Sequence, residues 1–289
     1  MITLACNAMV HDPESQRWLD VETLIEMADE LGFDAIDFQL DRGFRSREPE
    51  YLGTIKSMCR ERGLPIGFLG IGAGFLGQEE AASGTIGVAL SADERRRRIT
   101  EVQEAVDAAV IIGAPLIRLF GGRVPEASPD RDAVWSSQVE CFQEVCDYAS
   151  HSGIKIGLHN HPPAQAPTGD DVIRLLTDVG RESFTHILDT GQWFGSPGAY
   201  QAGGDSGADF YAFMRQTVPY ATYVRAKIYK IDNSYEEWLD YERIVAILTD
   251  ANYEGVVSIV YEDQGNRCDD REARRLGLEY LRGLFGSKA

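Results

Sequence analysis

The chain has 289 residues, of which 44% are hydrophobic and 26% charged, a composition typical of a globular protein. Its 46 acidic and 28 basic side chains give a net charge of −18, and a surface this acidic repels phosphate backbones, which argues against a nucleic-acid partner. The N-terminal sequence MITLACNAMVHDPES lacks a basic segment, and its apolar run is too short for a signal peptide or a membrane span.

The cysteines are odd in number, scattered and without a CxxC motif: Cys6, Cys59, Cys141, Cys146 and Cys268. This usage favours free thiols in a reducing compartment, so we expect a cytoplasmic protein that does not bind membranes.

Apolar runs of strand length alternate with amphipathic helical stretches, and the alternation repeats eight times. The predicted strands are ITLAC (2–6), AIDFQL (35–40), PIGFLGI (65–71), PLIRLF (115–120), IKIGLHN (154–160), FTHILD (184–189), YVRAKIY (223–229) and GVVSIVYE (255–262). The predicted helices centre on 18–31, 48–62, 91–112, 130–152, 169–179, 207–218, 238–251 and 269–284. Four of them precede a glycine at the position of a C-cap: Gly32, Gly63, Gly113 and Gly153. Eight units without a linker predict an α/β fold of one domain, a single (β/α)₈ TIM barrel over residues 1–289.

Alternation within each strand then separates the residues that face the helices from those that face the barrel axis. The apolar residues must face the helices, which turns a set of polar residues inward: Asp37, Gln39, Arg118, His159, His161, Asp189, Arg225, Lys227 and Glu262. Because enzymes with this fold have their active sites at the C-terminal mouth of the barrel, we expect these side chains to form a site there.

The types of these residues indicate their roles. His159 and His161 share one strand face, which suits metal binding or proton transfer. Arg225 and Lys227 are inward cations that need an anionic partner, which Asp189, Glu262 or a substrate oxyanion would provide. We expect five residues to contact the substrate: Asp37, Gln39, Arg118, Gln192 and Trp193. Trp193 would stack on a sugar ring or, alternatively, pack within its own loop. The glycine-rich segment 72–90 predicts a flexible lid over the mouth.

The chain resembles the xylose-isomerase-like barrel superfamily of sugar isomerases and epimerases, which also includes endonuclease IV-type enzymes. The resemblance covers essentially the whole chain and rests on these motifs: FDAIDFQL, IRLFGG, a GLxNH-like end of strand 5, LDTGQ, YVxxK and the last strand GVVSIVYE. In that family a divalent metal is held by Glu, Asp, His and Glu at the ends of strands 5, 6, 7 and 8. Asp189 matches this pattern, and His161 and Lys227 match positions next to the substrate.

This sequence departs from the family at the other three ligand positions, which hold His159, Arg225 and Val260. The glutamate pair that epimerases of the family use for proton transfer is likewise absent from its usual positions. One site model is a displaced metal site from His159, His161, Asp189 and Glu262 for Mn²⁺, Fe²⁺, Zn²⁺ or Mg²⁺. The other model has no metal, with Arg225 as a fixed charge. Arg225 would repel an ion by about 4 kcal/mol per unit charge at roughly 4 Å, which favours the second model.

Both models support the same chemistry. We expect an isomerase or epimerase that removes a proton next to the carbonyl of a sugar or keto-sugar, with His161 or His159 as base and Lys227, Arg225 or a metal stabilising the enediolate. A leaving group on the substrate would give β-elimination instead, and a non-catalytic carbohydrate-binding barrel or accessory subunit is the alternative from another class. The expected partner is a small carbohydrate, with homo-oligomerisation open.

Overall fold

A closed barrel of eight parallel strands forms the centre of the molecule. The structure, a computed structural model, describes residues 2–10, 17–81, 84–160, 167–191, 207–232, 234–262 and 268–286. The strands in these residues are β1 (Thr3–Cys6), β2 (Ala35–Gln39), β3 (Ile66–Gly74), β4 (Gly77–Ala81), β5 (Gly84–Val88), β6 (Leu116–Phe120), β7 (Lys155–His159), β8 (Phe184–Asp189), β9 (Ala221–Ile228) and β10 (Val256–Tyr261). The barrel closes in the order β1-β2-β3-β6-β7-β8-β9-β10, with β10 returning to β1. The predicted (β/α)₈ barrel is therefore confirmed.

Helices cover the outside of the barrel. In the described residues they are α1 (Val21–Leu31), α2 (Pro49–Glu61), α3 (Ala92–Ile112), α4 (Arg131–Ser150), α5 (Gly169–Val179), α6 (Gly207–Thr217), α7 (Tyr241–Asp250) and α8 (Asp270–Gly286), with a short 3₁₀ turn at Val218–Tyr220. In this part of the chain, none of the helices combines the length and apolar composition needed to cross a bilayer. All five cysteines are free thiols.

Helix ends follow the signals in the sequence. The side chain of Asp20 accepts the amide of Thr23 at the start of α1 (3.0 Å), and Thr168 and Asp171 form a reciprocal capping box at the start of α5. The four glycines predicted as C-caps all have positive φ, between 68° and 89°, a conformation that glycine adopts without strain. These local signals set the lengths of the helices and so the positions of the strands between them.

The glycine-rich segment after β3 contains strands that the sequence pattern did not predict, and its role as a lid stays a prediction. β4 and β5 pair in an antiparallel hairpin, and β3 itself continues to Gly74, three residues beyond the predicted end. Glycine is required at Gly74 because a Cβ there would lie 2.9 Å from the carbonyl carbon of Phe120. Arg98 on α3 donates to the Gly74 carbonyl (2.5 Å), so the base of the hairpin is tied to the barrel wall.

The barrel interior divides into an apolar floor and a polar mouth. Phe68, Leu116, Ile187 and Tyr223 pack together inside the barrel in a cluster separate from the main core. The main core lies between the strands and the helices, and includes Val224, Ala226 and Ile228 of β9. Because side chains alternate along a strand, the same burial turns Arg225 and Lys227 inward above that floor. The strand pattern thus positions charged groups at the mouth.

Candidate active site

His159, Asp189, Arg225 and Lys227 meet at the C-terminal ends of three neighbouring strands, β7, β8 and β9. Nε2 of His159 lies 2.9 Å from Oδ2 of Asp189 and 3.0 Å from Nη1 of Arg225. Asp189 also lies 3.4 Å from Nη1 of Arg225 and 3.8 Å from Nζ of Lys227. All four residues are at most 1% exposed. The structure therefore brings together the inward residues that the strand pattern predicted.

His159 is held from both sides of its ring. A carboxylate only accepts, so the 2.9 Å contact with Asp189 assigns the imidazole proton to Nε2. Nδ1 is then the acceptor, and Nη1 of Arg118 lies 3.4 Å from it. Burial lowers the pKa of His159 well below its usual value, and the positive charges of Arg225 and Arg118 act in the same direction. His159 is thus a neutral group that orients its neighbours, with both ring nitrogens engaged.

Lys227 joins the buried cluster to the rim of the barrel. Its Nζ is paired with Glu262, which follows β10 and whose side chain is 22% exposed. Thr190 accepts the backbone amide of Lys227 (3.0 Å), and the hydroxyl of Tyr241 donates to its carbonyl (2.6 Å). Burial lowers the pKa of Lys227, against the opposing effect of Glu262 and Asp189. The ammonium is therefore fixed beside the most accessible carboxylate of the cluster.

Arg118 brings a third cation to the same place. Its Nη2 donates to Oε1 of Gln39 (2.6 Å) and to the carbonyl of Ile71 (3.2 Å), and its guanidinium carbon lies 4.3 Å from the centre of the Phe120 ring. The residue is 3% exposed. Burial and the charge of Arg225 both lower its pKa. We call Arg118, Arg225 and Lys227 the cationic cluster.

Asn160 is a functional residue that the sequence reasoning missed. Its Nδ2 donates to the carbonyl of Asp189 (3.0 Å), and its Oδ1 accepts the amide of Asp189 (2.8 Å). The amide of Gly191 donates to Oδ1 of the same aspartate (2.9 Å). These bonds fix the position of the Asp189 carboxylate. The sequence signal for Asn160 was its position between two histidines at the end of a strand. It was not selected because alternation along the strand assigned it to the outward face.

Asp37 is held by buried residues of other strands. Its carboxyl accepts from Tyr223 and Ser258, both inside the barrel, and from Asn7 (3.3 Å). Burial raises its pKa to about 6 despite those hydrogen bonds. Asp37 was predicted to contact the substrate, whereas its contacts here join strands of the barrel.

Three predicted residues lie outside the described part of the chain. His161, Gln192 and Trp193 fall in the gaps at 161–166 and 192–206. The roles assigned to them from the sequence therefore stay predictions.

The described residues do not fit the divalent metal that the family resemblance implies. A catalytic metal usually has three protein ligands whose lone pairs are available. Here His159 and Asp189 are close to Arg225, and Glu262 is paired with Lys227. Across the described ranges no three His, Cys, Asp or Glu side chains are arranged to hold a metal ion.

Comparison with known proteins agrees with this architecture. Residues 25–284 match the family model described as Xylose isomerase-like TIM barrel. The chain belongs to this family. No curated protein sequence matches it.

Solved structures share the fold at low sequence identity. A D-psicose 3-epimerase from Clostridium cellulolyticum H10, crystallised with D-tagatose, has a TM-score of 0.73 at 15% identity, over 98% of this chain and 99% of that one. An L-ribulose 3-epimerase has a TM-score of 0.73 at 14% identity, over 99% and 95%. A family 2 AP endonuclease from Brucella melitensis has a TM-score of 0.69 at 18% identity, over 97% and 99%. At these identities the likeness shows the fold alone.

Proposed function

We propose that this protein is a sugar isomerase or epimerase that removes a proton next to the carbonyl of a keto-sugar. The observation that carries the proposal is the pairing of Lys227 with Glu262 beside Arg225 at the barrel mouth. This arrangement offers a carboxylate to take a proton and two cations to stabilise the resulting oxyanion. Membership of the xylose isomerase-like family and the sugar epimerases among the structural neighbours support it.

The reaction would proceed through an enediolate. A base removes the proton from the carbon next to the carbonyl, and the electron pair moves to the carbonyl oxygen. Lys227 and Arg225 stabilise the negative charge that develops there, which fixed charges in a water-poor site do effectively. Return of a proton to the other face of the same carbon gives an epimer. Return to the former carbonyl carbon, with the proton of the neighbouring hydroxyl passing to the former carbonyl oxygen, gives an isomer.

Two residues are candidates for the base. His161 is the residue expected from the sequence. Glu262 follows from the geometry, because it is the carboxylate of the cluster that reaches the rim, with 22% of its side chain exposed. His159 is less suited, since Asp189 and Arg118 engage its two ring nitrogens. We assign His159 to positioning Asp189 and the arginines.

We further propose that the reaction is independent of a metal, with the cationic cluster supplying the positive charge. Arg225 stands at the family's strand 7 ligand position, and it has no lone pair to give to a metal. Its guanidinium lies against both His159 and Asp189. Asp189 thus accepts from groups of the protein itself, and Nδ1 of His159 faces Arg118.

Deuterium exchange tests the proposed chemistry. The protein would be incubated in D₂O with keto-sugars such as D-fructose, D-tagatose and D-ribulose, and deuterium next to the carbonyl followed by NMR. We expect incorporation, with a loss of about 10²-fold or more in whichever of Glu262→Gln and His161→Ala removes the base. Glu279→Gln is the matched control, because Glu279 lies on α8 in an ion pair with Arg275.

The outcomes separate the alternatives. Full exchange in both Glu262→Gln and His161→Ala would remove both residues from proton transfer. Binding of a sugar without any exchange would instead support a non-catalytic carbohydrate-binding barrel. Release of a leaving group from a substituted keto-sugar, rather than a new epimer, would indicate the eliminating lyase.

A further inference from the structure

Among the residues that the structure describes, three arginines are buried, and they differ in how their charge is balanced. Arg274 on α8 is paired with Asp270 at 2.7 Å, and Arg225 with Asp189 at 3.4 Å. Arg118 has no carboxylate within 4.0 Å among the residues that the structure describes. Its polar contacts are an amide oxygen, a backbone carbonyl and a neutral imidazole. A buried guanidinium balanced only by dipoles is costly to a folded protein.

The hydrogen-bonding capacity of Arg118 is also incompletely used. Within the described ranges its buried Nε has no hydrogen-bond partner, and the side chain as a whole is 97% buried, with 3% exposed. A guanidinium offers five N–H donors in a fixed planar arrangement. Such a group binds a carboxylate with two parallel hydrogen bonds.

The charges around Arg118 also indicate an anionic ligand. The cationic cluster carries three positive charges, and the carboxylates paired with it are those of Asp189 and Glu262. The imidazole of His159 between them is neutral because burial and the neighbouring arginines depress its pKa. Asp41 and Arg42, close to Arg118, form a pair of their own (4.0 Å) that adds no net charge. Asp37, on β2, also interacts with Arg225. Of the three cations of the cluster, Arg118 is therefore the one without a carboxylate partner among the described residues.

We propose that Arg118 binds a carboxylate carried by the substrate, so that the substrate class is a keto-sugar acid rather than a neutral sugar. This rests on the proposed function for the chemistry at Lys227 and Arg225, and adds a second anionic position to the same site. His159 separates the two positions: its Nε2 faces Asp189 and Arg225, and its Nδ1 faces Arg118. One position would stabilise the transient enediolate, and the other would hold a permanent charge. One guanidinium without a carboxylate partner matches a carboxylate better than a phosphate dianion.

The negative net charge of the protein excludes general electrostatic attraction as the cause of a preference for an acid. With a net charge of −18, the surface as a whole disfavours anions. A preference for an acid over its neutral counterpart therefore requires a local site and does not arise from general attraction. A salt concentration of about 0.15 M screens the long-range repulsion without removing a buried contact.

The experiment measures binding by thermal shift with three matched pairs that differ in a carboxylate against a CH₂OH group: D-fructuronate and D-fructose, D-tagaturonate and D-tagatose, D-glucuronate and D-glucose. We expect at least one acid to bind about tenfold or more tightly than its neutral partner, the usual value of a charged hydrogen-bonding pair. In Arg118→Met this preference falls below about twofold, and in Arg118→Lys it is partly retained. Arg275→Gln, which removes an arginine from the exposed face of α8, keeps the preference.

Three results would overturn the proposal: no preference for the acid in any of the three pairs, a preference that persists in Arg118→Met, or tighter binding of D-fructose 6-phosphate than of D-fructuronate. If Arg118→Met does not fold, the preference of the unaltered protein and of Arg118→Lys still decides. Deuterium exchange is read separately. An acid preference without exchange supports the carboxylate site and contradicts the enolising function, whereas exchange of neutral keto-sugars without any acid preference does the reverse.

Discussion

Nη1 of Arg225 lies 3.0 Å from Nε2 of His159, and these two residues stand at positions that ligate a metal in the family that the sequence resembles. The guanidinium also reaches Asp189, the ligand position that this chain retains. Arg225 thus contacts His159 and Asp189, the two side chains at these ligand positions that have lone pairs for a metal. The proposed replacement of the ion by arginine would account for the three changes of ligand together, because a glutamate at the position of Val260 would then have no ion to bind.

Lys227 should contribute more to catalysis than to folding. Lys227→Met keeps most of the apolar stem and leaves Asp189 with Arg225 and His159 as partners, while Glu262 remains at the rim. We expect turnover to fall at least about tenfold, and the free energy of unfolding to fall by no more than about 2 kcal/mol. Deuterium exchange and urea denaturation measure the two effects. Loss of stability with unchanged exchange would assign Lys227 to a structural ion pair.

Asn160 should matter for stability as well as activity. Asn160→Ala leaves the buried amide and carbonyl of Asp189 without their side-chain partner, which costs about 1–3 kcal/mol per unsatisfied group. We expect a loss of roughly 2–6 kcal/mol in urea denaturation and a lower kcat, because the Asp189 carboxylate loses its support. Thr177→Ala, on the exposed face of α5, is a suitable control. A kcat equal to that of the unaltered protein would show that Asn160 only stabilises the fold.

The barrel and its inward residues were predictable from the sequence, and other features were not. Alternation in β9 correctly separated Arg225 and Lys227 from Val224 and Ala226, because burial on the helix side leaves each residue one orientation. Alternation gives the face of a residue but says nothing of contacts between strands. It therefore could not show that the carboxyl of Asp37 accepts from Tyr223 and Ser258.

Local pattern missed two further features. The glycine content of the segment after β3 did not indicate the pairing of β4 with β5, although the β-branched residues Thr85, Ile86 and Val88 favour a strand. The role of His159 depends on Arg118, Arg225 and Asp189, which lie on three other strands. Such a combination arises only when the barrel closes.

Asp37 gives a pH dependence of stability that one substitution should remove. Burial raises its pKa from 3.8 to about 6, so between these values the folded protein binds a proton that the unfolded chain has lost. Its contribution to stability is present below about pH 4 and is lost as the pH rises through 6. Relative to Asp37→Asn, the unaltered protein should lose on the order of 3 kcal/mol between pH 4 and pH 7. Urea denaturation at both pH values checks this, and a constant difference would show that Asp37 does not titrate there.

His186 should act with the opposite sign. Burial lowers its pKa from 6.5 to about 4, and its Nδ1 donates to the carbonyl of Leu158 (3.1 Å). The unfolded chain takes up the proton first, so stability present above pH 6.5 is lost as the pH falls towards 4, by up to about 3 kcal/mol. His186→Gln should flatten this part of the profile. The same slope in the variant would assign the loss to other groups.

Metal dependence tests the central proposal most directly, namely that the positive charge for catalysis comes from the cationic cluster and not from a metal ion. The measurement is the rate of deuterium incorporation into a keto-sugar before and after treatment with EDTA, with metal per chain determined by elemental analysis on the same samples. We expect far less than one metal per chain and a rate that EDTA leaves unchanged, and Arg225→His with Val260→Glu should gain metal. Near-stoichiometric metal in the unaltered protein, lost together with exchange on EDTA treatment or in His159→Ala, would contradict the account.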